Sequence, residues 1–277
     1  MNLLDDSIDK ILLKALYCRA VEESIYDKIQ KKIIKIPVYL SAGQELISST
    51  LAYILEEKKI LDRQIFIQHR GHSSYINFDG DIQILFKELL GIDGYGKRGS
   101  ASIDSKIANI YGHDGMMGSH IPIAVGMCYS NKKPTIVFTG DAAAEEDYAL
   151  AAYGWASTKK LPILFIVEDN NLSILTEKKV RRSWSLQDIG KGFGLEVCDI
   201  VDNPEEIYKF KDIMFNKPML MNINTKRKFW HSGAGIDNLL QEDRLLEYIK
   251  TNESLEKQYE KMKESVETIW KKLLERQ

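Results

Sequence analysis

Two short apolar runs, residues 135–139 and 163–167, stand out in a chain that otherwise mixes charge and hydrophobicity at helical spacing. Both are β-branched or aromatic enough to be buried strands. The Ala-rich stretch 145–158 between them fits a helix. Together they predict a parallel βαβ unit whose ligand edge lies at the carboxyl ends of the strands. Upstream, Ile8, Ile11, Leu12, Ala15 and Leu16 predict a long amphipathic helix over 6–34, with Arg19, Glu22 and Glu23 as solvated or scaffold residues. SAGQELISSTLAYIL (41–55) predicts a second helix. IFIQHRGHSSYINFDG (65–80) opens with a short strand, IQILFKELL is helical in period, and 109–129 is a Gly-rich loop leading into an apolar helix. GLEVCDIVD begins a further αβ step, and NPEEIYKF is a helix opened by Asn-Pro. Met219–Asn224 reads as a core strand running into a polar loop. Leu255, Tyr259, Met262, Val266, Ile269, Trp270 and Leu273 form a stripe at spacings of three and four, suited to the core or to a partner. The fold class this predicts is α/β, with a mostly parallel sheet flanked by helices.

Composition narrows the function classes. A chain of 277 residues supports an ample core, and no repeat or low-complexity linker divides it, so residues 1–277 read as a single domain. A net charge of −2 gives no argument for nucleic acid or an anionic membrane. The acidic start, MNLLDDSIDK, lacks a cationic signal peptide, and no run of about 18 apolar residues predicts a membrane span. Cys18, Cys128 and Cys198 are scattered and form no CxxC pair, which suits reduced packing residues in a cytoplasmic protein.

The candidate chemistry gathers at strand ends. The first central strand ends in Gly140-Asp141 and the second in Glu168-Asp169-Asn170-Asn171, so both present oxygen ligands at one rim. A carboxylate, an amide oxygen and a nearby backbone carbonyl suit a hard cation such as Mg²⁺. The small residues Ala142, Ala143 and Ala144 let backbone N–H groups approach an anion. Gln68, His69 and Arg70 put a cation and an imidazole at another strand end, and the planar fork of Arg suits a diphosphate. Two patterns are decoys. Gly94, Gly96 and Gly99 formally fit GxGxxG, but the stretch before them is helical in period and no strand precedes it. His69 and His72 have HxxH spacing without the further ligands a zinc site needs.

GDAAAEED followed by LPILFIVEDNNLSI resembles the thiamine-diphosphate motif, and in detail the alpha subunits of 2-oxo-acid dehydrogenase first components. The resemblance covers roughly residues 8–255. It implies a three-layer fold binding thiamine diphosphate and Mg²⁺, the metal held by Asp141, by Asn170 twenty-nine positions on, and by the carbonyl of Leu172. Gln68, His69 and Arg70 match a Gln-Tyr-Arg-type triplet that contacts the cofactor. NIYGHDGMMGSHIPIAVGMCY is similar to a Gly-rich loop whose backbone binds the aminopyrimidine. This places Gly115, Met116 and Met117 at the cofactor, with a Met as its prop or as core filling. Gly140, Ala142 and Ala143 complete the diphosphate contacts. Arg181, within the basic run KKVRR, is the candidate in the loop that closes the site, although such runs are commonly solvated faces. By resemblance His231 lies near the cofactor diphosphate, which it helps to bind, and near the reacting centre, where a neutral imidazole handles protons.

This chain also departs from the pattern. Ala142 replaces the second Gly of GDG, at a cost of about 1 kcal/mol if that position needs positive φ. Ser102 stands where the family has a loop His. His113 and His120 replace Gly and Gln, facing substrate or serving structure. Glu145 and Glu146 match acidic residues in part of the family and also suit a helix start. All five histidines fall within matched segments. The resemblance further implies a beta-type subunit supplying the pyrimidine-binding domain and its Glu, a 2-oxo acid substrate and an oxidoreductase activity that passes the acyl unit to a lipoyl transacylase. A transketolase-like or carboligating enzyme acting on an aldehyde or sugar, and a catalytically silent scaffold subunit, are the alternatives.

Overall fold

The two central runs are buried from end to end because helices cover both of their faces. A computed structural model gives the fold and describes residues 5–233, 243–250 and 252–275. The chain opens with α1 (Asp5–Gln30), α2 (Glu45–Glu57), β1 (Gln64–Phe66), α3 (His72–Asn77) and α4 (Ile82–Leu90). It continues through β2 (Ile110–Tyr111), α5 (His120–Asn131), β3 (Thr135–Gly140), α6 (Asp147–Thr158) and β4 (Ile163–Asp169). A small hairpin, β5 (Leu172–Ser173) and β6 (Thr176–Glu177), runs into α7 (Lys178–Arg181) and α8 (Leu186–Gly192). β7 (Glu196–Val201), α9 (Pro204–Tyr208), β8 (Met219–Asn224), α10 (Arg244–Lys250) and α11 (Glu253–Leu274) complete the described residues.

The main sheet has the order β2-β1-β3-β4-β8-β7, and every neighbouring pair is parallel. Alternate side chains divide between two cores. Ile65, Ile136, Phe138, Leu164, Ile166 and Met221 pack with α1, α2, α4 and α11. Phe66, Val137, Phe165, Val167 and Leu220 pack with α5, α6 and α8 on the opposite face. The result is three layers, as expected for parallel strands buried on both sides. From β1 the chain moves outward to β2, then returns past β1 to β3. The carboxyl ends of β1 and β3 therefore flank a topological switch point, the place where α/β sheets form a ligand crevice.

Backbone geometry adjusts several predicted boundaries. The second helix starts at Glu45 rather than residue 41, because Gly43 has φ +99 and its Cα abuts the Lys226 carbonyl, where a Cβ would lie only 2.2 Å away. The first helix ends at Gln30, shortly before Lys32 turns to φ 56. Asn203 caps α9 through its side chain with Pro204 in the first turn, as the Asn-Pro pair predicts. Gly91, in the left-handed region at φ 69, ends α4 before the GxGxxG decoy, which is loop.

Of the two readings of Arg19 and Glu22, solvated or scaffold, the structure bears out the second: both are buried. Arg19 donates to Glu45 at 2.5 and 3.0 Å and to Asp243 at 2.5 and 3.2 Å. Glu22 accepts from His72 Nδ1 at 2.7 Å and from the Ser41 N–H at 2.7 Å, while Ser100 lies 2.9 Å from His72 Nε2. His72 is thus tied to the scaffold, away from His69. The C-terminal stripe faces the chain's own core: Trp270 stacks on Phe86 at 3.9 Å and donates to Ser24 at 2.9 Å. Cys18, Cys128 and Cys198 are free and buried. No helix of the described residues is long and apolar enough to cross a membrane.

Candidate active site at the carboxyl edge of the sheet

The ends of β1, β3 and β4 bring together the side chains that the motifs single out. Gly140 pairs with Glu168 in register, so Asp141 and Asp169–Asn170 leave the sheet side by side. Just past β1, Gln68, His69 and Arg70 are buried. Gly140 is close beneath them, since a Cβ there would lie 3.2 Å from Gln68 Oε1 and 3.3 Å from Arg70 Nη2. Arg70 donates to Gln44 at 3.1 Å and to His69 Nε2 at 3.0 Å. Gln68 donates to Glu168, which sequence reasoning overlooked because one acid at the end of an apolar strand reads as a strand terminus. Burial raises the Glu168 pKa to about 7 against the opposing pull of Arg70 and Gln68.

Asp141 is 1% exposed, and burial together with Asp169 raises its pKa despite Arg181. Its Oδ2 accepts from Arg181 at 2.5 Å, while Oδ1 has no hydrogen-bond partner among the described residues. Asn170 Oδ1 accepts from the Leu172 N–H at 3.1 Å, and its Nδ2 has no partner among the described residues. Arg181 also donates to Glu145 at 2.7 Å and to the Thr176 carbonyl at 2.9 Å. Arg182 pairs with Glu145 at 3.0 Å, and Lys178 with Asp169. The basic run is therefore corrected from a solvated face to a cover folded onto the acidic rim. Glu145 serves as its anchor, and α6 begins only at Asp147.

Ala142 lies at φ −74, ψ −40, so alanine here carries no left-handed strain. Changing Ala142 to Gly should lower stability by about 0.4–1 kcal/mol, since the freedom glycine adds is all in the unfolded chain. A urea unfolding series would read this, and a more stable variant would contradict it. Ala143 is buried in the turn that follows. Met116 and Met117 are corrected from core filling: they are 58% and 39% exposed, on a loop between Gly115 at φ 99 and Gly118 at φ 81.

Four of the five histidines form a row. His231, His69, His113 and His120 have successive ring centroids 5.3, 6.1 and 6.1 Å apart. Tyr39 packs edge-on against both His69 and His231 at 5.1 Å. Burial lowers all four pKa values, to about 4 for His120 and His231, with Arg70 and Arg227 adding to the effect at His231. His231 Nδ1 lies 3.3 Å from Arg227, an obligate donor, so the ring proton sits on Nε2. The polar loop beyond residue 233 lies outside the described residues.

The sign of the histidine effect is checkable at His120, which is fully buried. Unfolding raises its pKa from about 4 to 6.5, so the stability it confers is complete above pH 6.5 and is lost as pH falls toward 4. Against a His120→Gln variant, the native chain should lose up to about 3 kcal/mol over that window. Unfolding midpoints at pH 7.5 and 4.5 would test this, and a pH-independent difference would rule it out.

An α/β sheet with an acid-and-amide rim at its switch point defines a ligand crevice, and the comparisons with known proteins narrow what it belongs to. The profile of the family described as dehydrogenase E1 component matches residues 14–265. The chain belongs to that family. It is 26% identical over 223 residues to the mitochondrial pyruvate dehydrogenase E1 component subunit alpha-1 of Oryza sativa, covering 76% of this chain and 55% of the relative. It is 30% identical over 168 residues to the alpha subunit of Rickettsia prowazekii, covering 57% and 50%, and 25% identical over 166 residues to that of Zymomonas mobilis, covering 57% and 46%. The chain thus spans about half the length of the curated relatives it matches. The motif resemblance is borne out at the level of the family.

Proposed function

We propose that this chain is the alpha-type subunit of a thiamine-diphosphate- and Mg²⁺-dependent enzyme that decarboxylates a 2-oxo acid and transfers the acyl unit. One observation carries the reading. At a single switch-point rim, Gln68, His69, Asp141 and Asn170 each keep a buried polar atom that no described residue satisfies. Buried polar atoms are normally partnered, so this set fits a polar ligand. The set fits the group in kind: the open Asp141 Oδ1 and the second lone pair of Asn170 Oδ1 suit a hard cation, and the guanidinium of Arg70 with the unmet N–H of His69 suits a diphosphate.

In this reading Asp141, Asn170 and the Leu172 carbonyl hold Mg²⁺. Arg70, Gln68, His69 and the backbone of Gly140, Ala142 and Ala143 hold the diphosphate, joined by Arg181 when it leaves Asp141. The backbone of Gly115 and Met117 holds the aminopyrimidine, and exposed Met117 serves as its prop. When bound, thiamine diphosphate supplies the nucleophilic carbon and the electron sink for loss of carbon dioxide. The chain's part is to orient and to handle protons. Arg70 and Arg227 make the rim attractive to a carboxylate, and neutral His231 offers its Nε2–H to a substrate oxygen. Residues 1–277 act as one diphosphate-binding domain. A beta-type subunit supplies the pyrimidine-binding domain and its Glu, in an alpha-two beta-two assembly that delivers the acyl unit to a lipoyl transacylase. Buried free cysteines suit a reducing compartment such as the cytoplasm.

Native mass spectrometry of the protein from its own cells tests the proposal. The expected mass is two copies with two of a second chain, retaining thiamine diphosphate and Mg²⁺. A cofactor-free homo-oligomer that takes up no thiamine diphosphate when supplied would overturn it.

A further inference from the structure

His113 and His120 have no part in the reading above, yet their hydrogen bonds fix the state of both rings. His113 Nδ1 accepts the Gly115 N–H at 3.0 Å, so the proton of the neutral ring is on Nε2. His120 Nε2 lies 2.8 Å from the Phe138 carbonyl, which only accepts, so its proton is on Nε2 and Nδ1 is a bare lone pair. His113 and His120 are 4% and 2% exposed, and burial disfavours the charged form of each. They lie 6.1 Å apart, centroid to centroid, with planes at 67°. Neither His113 Nε2 nor His120 Nδ1 has a partner among the described residues.

Adjacent rings thus carry one unmet donor and one unmet acceptor. An anionic oxygen would satisfy the donor and oppose the lone pair, and an ammonium would do the reverse. A hydroxyl satisfies both, accepting from His113 and donating to His120. His69 lies 6.1 Å from His113 on the other side, which puts the pair next to the triplet at the β1 end. We propose that His113 and His120 form a hydroxyl-recognition subsite, and that the substrate is a 2-oxo acid bearing an alcohol group. The identity of the reaction rests on the thiamine reading; the recognition of a hydroxyl does not.

A site built around a hydroxyl rejects an analogue that lacks it, because two buried groups are then left unpaired. In the assembled complex with thiamine diphosphate and Mg²⁺, 3-hydroxypyruvate should exceed pyruvate in kcat/KM by at least roughly 30-fold. His113→Leu should bring that ratio toward one, mainly through the KM for 3-hydroxypyruvate, and His113→Gln, which restores an N–H donor, should recover part of it. In parallel, with only this chain's histidines ¹⁵N-labelled, 3-hydroxypyruvate should shift the His113 and His120 ring signals, and pyruvate should not. Equal kcat/KM for the two acids, or turnover with unmoved ring signals, overturns the subsite and leaves the thiamine reading standing. Ring signals that respond to 3-hydroxypyruvate without turnover of either acid support the subsite and count against the thiamine reading. Signals coupled only to a resident water, unchanged by either acid, overturn the subsite.

Discussion

Asp141→Ala should weaken Mg²⁺-dependent binding of thiamine diphosphate by more than about 100-fold, since even outer partners of a bound metal cost 10–100-fold when removed. Its unfolding transition should barely move. The native carboxylate is buried, raised in pKa by that burial and by Asp169, and satisfied at only one oxygen, so it contributes little to folding. Arg181 keeps Glu145 and the Thr176 carbonyl after the change, so the cover stays anchored. Titration calorimetry with the metal–cofactor complex, beside a urea midpoint on the same sample, reads both quantities. Native affinity in the variant would show that the cation is held elsewhere. A collapse in stability would show that Asp141 is primarily structural.

Arg19→Ala should produce the opposite pattern, with a loss of about 3–5 kcal/mol in stability, as for other broken buried ion pairs. Arg19 and Glu45 are fully buried, and Glu45 also accepts the Gly43 N–H at 2.8 Å. Without the guanidinium, Glu45 is left beneath α1 with no cation to offset its burial, which already raises its pKa. The double change Arg19→Met, Glu45→Leu should recover part of the loss, because it removes both desolvated charges. Asp243, at the surface end of the cluster, retains Lys228 at 2.9 Å in either variant. Denaturant midpoints of the two variants decide the matter, and a single variant of native stability would contradict it.

The central strands, the Asn-Pro helix and Met219–Asn224 were legible because each signal is local: a run of apolar residues, a cap, a β-branched stretch. The co-location of the Gln68–Arg70 triplet with Asp141 was legible only through the family resemblance, since the switch point that joins them depends on strand order. Other features were hidden for specific reasons. Arg19 and Glu22 look like surface charges on an amphipathic helix, and their partners Glu45, Asp243 and His72 are remote in sequence. Met116 and Met117 look like core residues, but the positive-φ glycines beside them turn the loop outward. The basic run shows nothing of its acidic partners, which come from two separate strand ends. Ala142 looked costly under the assumption of a positive φ, and the turn adopts an ordinary right-handed backbone instead.

Arg181 gives the rim a guanidinium on the same carboxylate that the family resemblance assigns to a metal. Under the proposed reading, Mg²⁺ would load there as an ion exchange, arriving at Asp141 as the guanidinium of Arg181 gives way. Such an exchange has a kinetic signature. Once the cofactor is concentrated enough, its rate of entry should stop rising and level off at the rate at which Arg181 leaves Asp141.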